Sequence, residues 1–309
     1  MIKVANNVQL NLNDYRERID LDIPFIPELE DPITRSQYYE SIENVTMSLL
    51  IEPDSYIQGI QTAALDKKRA YIKTALTLRP PYPLSEEVEW HMNLILQYER
   101  MFKNMVTAAN IKPARCENPS FSQIIPEQIS LWKGDITELD VDVIVNAANS
   151  RMLGCFQPYH ACIDNAIHCA AGPRLRADCA TIMELQGHAE PTGTSKITRA
   201  YNLPSRYVLH TVGPIIQHGT EVEADQKAQL ASCYNSCLSL ASQIESIRSI
   251  AFCGISTGVF GYPKKDAAQV AVTEVIRWLS NHPGHFDQVI FNVFSDEDRF
   301  VYETIFREL

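Results

Sequence analysis

The first third of the chain carries apolar residues three and four positions apart with charges between them. Segments 33–51, 57–76 and 85–108 have this pattern, which is that of helices burying one stripe. Asp31-Pro32 and Ser85-Glu86-Glu87 read as helix starts, with a capping side chain and an acidic first turn. Arg79-Pro80-Pro81-Tyr82-Pro83 reads as a stiff elbow between helices. A small helical N-terminal unit over residues 1–115 is therefore expected.

Residues 110–124, with Pro113 and Pro119, are irregular and read as a linker; beyond them the period changes. Residues 129–132 and 141–148 have strand character and 163–183 helical character. Segments 194–201 and 206–212 read as strands joined by Leu203-Pro204-Ser205, and 224–244 as a helix. A buried strand over 249–253, a helix over 264–281, a strand over 288–294 and a closing helix over 296–307 complete the pattern. Strands alternating with helices predict an α/β sandwich with a mixed sheet over residues 125–309. Ligands on such sheets bind in the crevice beyond the carboxyl ends of the strands.

Composition narrows the classes. The chain has 309 residues, 45% of them hydrophobic, enough for a packed core. A net charge of −11 argues against non-specific binding to DNA phosphates. No signal peptide and no bilayer-length apolar run is apparent. The eight cysteines accordingly read as reduced thiols of the cytoplasm. Cys169, Cys179, Cys253 and the helix-spaced pair Cys233 and Cys237 read as small packing residues. No internal repeat or low-complexity segment is present.

The chemistry concentrates in four blocks. Gly154-Cys155-Phe156-Gln157-Pro158-Tyr159-His160-Ala161-Cys162 places two thiols and an imidazole within eight residues. Such a set suits one borderline metal such as zinc, with a coordination position left open. By spacing alone, buried packing cysteines and a satisfied histidine remain an equal alternative. The zinc deaminase pattern is disfavoured, because the residue two after His160 is Cys162 and not Glu. Ser256-Thr257-Gly258-Val259-Phe260-Gly261, between a strand and a helix, suits an anion-binding turn, with Gly258 and Gly261 free to take positive φ. An ordinary strand-to-helix turn is the alternative. It lacks a P-loop lysine, and the chain has no Rossmann glycine fingerprint. Asp135, in Gly134-Asp135-Ile136-Thr137, reads as a turn residue, Asn149 as a strand-terminating amide, and Asp164 as a carboxylate opening a helix. His168 reads as structural, and Arg174 and Arg176 as solvated charges.

Gly134-Asp135-Ile136-Thr137, Asn146-Ala147-Ala148-Asn149, the Cys/His loop with Ile163-Asp164-Asn165-Ala166-Ile167-His168, and Gly254 to Pro263 follow one another in an order that resembles the macrodomain family. The Cys/His loop, replacing the Gly-rich loop of ordinary hydrolytic members, resembles the zinc-dependent branch, which removes ADP-ribose from proteins. The resemblance implies a three-layer α/β/α sandwich preceded by a helical segment. It implies ADP-ribose held by Asp135, Ile136, Asn149, Ser256, Thr257, Gly258, Val259, Phe260 and Tyr262. It further implies one Zn2+ on Cys155, His160 and Cys162, with Asn149 and Asp164 as catalytic residues. Two thiolates make zinc a weaker acid, which favours positioning of the ribose over activation of water. The implied substrate is mono-ADP-ribosylated protein, and the implied partners are a sirtuin-like ADP-ribosyltransferase and a lipoyl-carrier protein. A non-catalytic ADP-ribose reader with a structural zinc, or a hydrolase of small ADP-ribose esters, would share the pocket.

Overall fold

The computed structural model describes residues 9–29, 32–51, 59–217 and 219–309. Asp31 and Ile57, at two of the expected helix starts, lie outside the described residues.

Three long helices form the N-terminal unit: α1 (Arg35–Leu50), α2 (Leu65–Leu78) and α3 (Glu86–Arg100). Thr34 caps α1 by accepting from Gln37 N while the Gln37 side chain reaches back to Thr34 N. Ser85 caps α3 ahead of Glu86, Glu87 and Glu89, carboxylates that favour the positive end of the helix dipole. Ile42, Val45, Leu49, Tyr71, Ile72, Met92 and Ile95 interlock as a small core of their own. The third helix stops at Arg100, short of the expected 108, and Val106–Thr107 pairs instead with Leu139–Asp140 as a two-residue ladder.

The remaining elements are β1 (Ile129–Lys133), β2 (Val143–Ala148), α4 (Ile163–Ala171), α5 (Pro173–Gln186), β3 (Ser195–Arg199), β4 (Tyr207–Val212), α6 (Ala224–Ala241), β5 (Ser249–Phe252), α7 (Lys264–Asn281), β6 (Gln288–Val293) and α8 (Asp296–Glu308). The helix expected over 163–183 is two helices, because Gly172 at φ +92° and Pro173 together break the ladder. The sheet runs β1-β6-β5-β2-β4-β3. Every pairing is parallel except that of β3 with β4, so the sheet is mixed with one antiparallel edge. Its central strands are buried on both faces, as parallel strands under two helix layers must be. Helices α4 and α5 pack on β2 and β3, while α6, α7 and α8 lie side by side and meet the sheet through β3, β4, β1 and β6. The expected α/β/α sandwich is the observed one.

Two segments belong to this core although they precede it in sequence. Leu12, Tyr15, Ile19 and Leu21 are buried with the sheet residues, and the Tyr15 hydroxyl accepts from Ile197 N on the edge strand. Ile111, Ala114, Phe121 and Ile125 also pack into it, so the irregular stretch 110–124 is fastened to the sandwich. At the β3 edge the Lys196 ammonium and the Glu190 carboxylate meet at 2.8 Å with side chains 1% and 0% exposed.

The helical unit is joined to the sandwich by specific polar contacts. Arg176, expected to be solvated, is 7% exposed. Its Nη1 donates to the carbonyls of Leu76, Thr77 and Arg79, at the end of α2, where helix carbonyls lack partners. Arg174 is partly exposed and pairs with Glu89. Gln97 Nε2 donates to Asn202 Oδ1 at 2.9 Å, and Lys103 Nζ donates to Thr137 Oγ1 at 2.9 Å.

Candidate active site

The carboxyl ends of β1, β2, β4, β5 and β6 open into one cavity of ≈ 900 Å³. Its wall includes Gly134 to Ile136, Ala147 to Asn149, Gly213, Cys253-Gly254 and Asn292 to Phe294. This is where the topology of an α/β sheet places ligands. Every expected site residue except Tyr262 lines it. Tyr262 is buried beneath the loop, and its N–H donates to the Ser256 carbonyl. Its backbone ties the loop back on itself, and Tyr262 stands behind the cavity wall.

Asp135 caps the turn Ile136–Glu138, its Oδ1 accepting from Thr137 N at 2.9 Å and Thr137 Oγ1 at 2.8 Å. Among the described residues Oδ2 has no such bond, and it stands 4.0 Å from Lys103 Nζ. The cap and ligand roles of Asp135 are therefore compatible, one oxygen for each. Phe294, directly after β6, lines the cavity with 80% of its surface exposed. Sequence reasoning missed it; an aromatic residue just past a strand's carboxyl end was the available signal.

In the 256–261 loop the strain does not sit where the glycines suggested. Ser256 has φ +64°, the left-handed region that a non-glycine residue enters at a cost. Its hydroxyl is buried with no hydrogen-bond partner among the described residues. Gly261 is left-handed as expected, whereas Gly258 is not. A Cβ on Gly258 would meet open space, so its missing side chain leaves room on the cavity side and is not required by the fold.

The Cys/His loop crosses from β2 to α4. Gly154 starts it at φ +81°, where a Cβ would lie 3.0 Å from the His168 ring. Cys155 Sγ is 3.4 Å from His160 Nδ1, and the donor atoms of Cys155, His160 and Cys162 all lie within 4.8 Å of one another. All three are half-buried and line the cavity. Cys162 is the cap of α4, its Sγ accepting from Asn165 N at 3.4 Å. Asn165 Nδ2 also donates to the His160 carbonyl at 3.0 Å, tying the loop to the helix. Burial pushes the Cys162 thiol up to about 11, against the pull of the Asn165 N–H. A divalent cation among the three donors would supply the missing positive charge. Two soft sulfurs and one imidazole at these distances fit a zinc ion. The Arg176 guanidinium lies 4.5 Å over the Phe156 ring and supports the loop from below.

Asp164 lines the same cavity. Cys162 takes the cap, which leaves this carboxylate for other partners. Its Oδ1 accepts from Asn146 Nδ2 at 2.8 Å, and its Oδ2 only a long 3.4 Å bond from Asn149 Nδ2. Burial pushes its pKa up to about 6. Asn149 is held between Asp164, the Gly154 carbonyl and Arg151 N. Asn146 was not expected among the site residues. Buried on β2, it also meets His210 Nδ1 at 3.2 Å, and its position within a strand carries no sign of that. Burial keeps His210 neutral, its pKa lowered to about 3, and His168 well below its usual range. His168, read from the sequence as structural, is buried with its Nε2 3.5 Å from Asp164 Oδ1.

Residues 145–271 match the Macro domain family. A protein-ADP-ribose hydrolase of Treponema medium is 45% identical over 240 residues, 78% of this chain and 88% of that protein. This chain belongs to the macrodomain family. A protein-ADP-ribose hydrolase of Staphylococcus aureus (strain MRSA252) is 44% identical over 74% of this macrodomain chain and 81% of its own length. Among solved structures, the Trypanosoma brucei macrodomain in complex with ADP-ribose superposes with a TM-score of 0.57 at 33% identity, covering 75% of this chain and 94% of that one. Among the described residues no helix is long and apolar enough to cross a membrane.

Proposed function

We propose that this macrodomain is a zinc-dependent hydrolase that releases mono-ADP-ribose from modified proteins. The observation that carries the reading is that the Cys/His loop and Asp164 border the same cavity as the Ser256 loop and Asp135. A diphosphate ligand lying along that wall brings its distal ribose to the three metal-ligand side chains. The names of the Treponema and Staphylococcus relatives and the ADP-ribose held by the Trypanosoma macrodomain support the same substrate.

Each residue has a task that its position permits. Asp135 Oδ2, left over from the turn, accepts from the adenine amino group, beside the Ile136 N–H. Phe294 offers a ring face for the base. Ser256, Thr257, Gly258, Val259 and Phe260 line the wall where backbone N–H groups cradle a diphosphate. Asn149 and Asp164 face the distal ribose. Asp164 Oδ2, the less engaged oxygen, accepts a ribose hydroxyl or the proton of an attacking water, while Asn146 fixes the orientation of the carboxylate through Oδ1. Cys155, His160 and Cys162 would hold zinc, which supplies Lewis-acid stabilisation at that end of the cavity when bound.

The adenine contact is testable by itself. Asp135→Ala is expected to weaken ADP-ribose binding by about 1–3 kcal/mol, the cost of losing a hydrogen bond to a charged acceptor. Calorimetric titration measures it against wild type. AMP binding as tightly as ADP-ribose would show that the distal ribose end is not recognised, and the assignment would fail.

A further inference from the structure

The end of α2 forms part of the wall beside the Cys/His loop. Lys73 lines the cavity although it belongs to the helical unit. Its neighbour Thr74 donates from Oγ1 to the Tyr159 hydroxyl at 3.0 Å, within the loop that carries the metal-ligand set. Just beyond, Arg176 fastens the carbonyls of Leu76, Thr77 and Arg79 to the sandwich. The helix end is thus held in register with the loop, and Lys73 with it. Arg151, between Asn149 and Gly154, lines the same cavity, its backbone N–H fixed by Asn149 Oδ1 at 3.0 Å.

Both cations are exposed, and among the described residues neither has a carboxylate partner. Other cations near the site are paired: Lys264 with Glu297 and Asp298, Arg69 with Glu99. Of the carboxylates that line the cavity, Asp298 is paired with Lys264, while Asp164 and Asp135 each accept through one oxygen from the neutral side chains of Asn146 and Thr137. Lys73, Arg151 and Lys264 line the cavity against Asp135, Asp164 and Asp298, so in a chain of net charge −11 its wall is locally balanced, and Lys73 and Arg151 are the two of these cations without a carboxylate partner among the described residues. Lys73 adjoins Thr74, which meets Tyr159 of the Cys/His loop, and Arg151 adjoins Asn149, so both stand on the side of the cavity that carries the metal-ligand set.

We propose that Lys73 and Arg151 form a subsite for the protein part of the substrate, and that it takes a segment with acidic residues next to the modified side chain. The inference rests on the hydrolase reading for the placement of the distal ribose. The helical unit is then part of the recognition surface, since it supplies one of the two charges. Two separate exposed cations suit a short acidic peptide, whose carboxylates can pair one to each; they are too few to neutralise the continuous charge of a polyphosphate backbone.

The test uses the full zinc-loaded chain and mono-ADP-ribosylated peptides with one acceptor residue, flanked either by Asp and Glu or by Asn and Gln. Both binding and release are measured at low and high salt. Wild type is expected to bind the acidic peptide roughly three- to tenfold more tightly than the neutral one, the range for two exposed ion pairs, with the gap closing at high salt. Lys73→Gln/Arg151→Gln should lose that preference, and its loss of affinity for the acidic peptide should exceed its loss for free ADP-ribose. Lys73→Glu/Arg151→Glu should reverse it. Equal affinity of wild type for the two peptides, or an unchanged preference in the double Gln variant, would overturn the subsite. So would tighter binding of an ADP-ribosylated oligonucleotide than of the acidic peptide. A wild type that prefers the acidic peptide in binding but releases no ADP-ribose from either would sink the hydrolase reading and leave the subsite standing.

Discussion

His160→Ala is expected to cut ADP-ribose release from a mono-ADP-ribosylated protein by roughly a hundredfold or more, the usual cost of removing a group that stabilises charge in the transition state. The same substitution should lower the zinc that co-purifies with the chain, because His160 is one of three donors within 4.8 Å of one another. Binding of free ADP-ribose should survive in part, since Asp135 and the Ser256 loop line other stretches of the cavity. The split follows from catalysis as differential binding: only contacts that strengthen in the transition state set the rate. Elemental analysis, calorimetric titration and a release assay on the same preparation check it together. A variant that keeps full turnover would remove His160 from the chemistry. One that loses turnover and ADP-ribose affinity alike would place it in ground-state binding.

The largest stability effect is expected at the β3 edge. Glu190→Ala should cost about 3–5 kcal/mol, because it leaves the Lys196 ammonium buried and unpaired. Glu190 Oε2 also accepts from Gln186 Nε2 at 2.8 Å, and Oε1 from the Thr194 hydroxyl, so the loss spreads to neighbouring elements. Glu190→Ala with Lys196→Met should recover much of the cost, since two apolar groups leave no charge unsatisfied. Urea unfolding midpoints of the single and double variants measure this. A single variant within 1 kcal/mol of wild type would mean that water reaches the ammonium.

The elements legible from periodicity were those whose signals are local. Helix α7 appears over the expected residues 264–281 because an apolar stripe follows directly on Pro263. The break at Gly172 and Pro173 was visible in the letters but lay inside an apolar run that fits one long helix. Leu12–Tyr15 was not legible: four residues carry no period, and their burial comes from the sheet they pack against. Arg176 was misjudged for the same reason. Its partners are backbone carbonyls 97 to 100 residues away, and no side-chain pattern announces them.

The site divides likewise. Cys155, His160 and Cys162 are close in sequence, and the loop brings their donors together as the spacing suggested. Asp135, Asn149 and the Ser256 loop are far apart in the chain, and only the shared strand ends unite them. Lys73 and Phe294 escaped because the topology alone carries a helix of the N-terminal unit and the end of β6 to the same cavity. Ser256 shows the limit of reading glycines as hinges: the strained residue in that loop is the serine beside them.

The most direct test of the account measures single-turnover release of ADP-ribose from a mono-ADP-ribosylated protein as zinc is returned to metal-depleted, folded chain. The account predicts little release without metal, and release rising with added zinc until about one ion is bound per chain. Metal-depleted chain that stays folded and releases ADP-ribose at the full rate would contradict zinc dependence. Zinc-loaded chain that binds ADP-ribose and releases none would contradict hydrolysis itself.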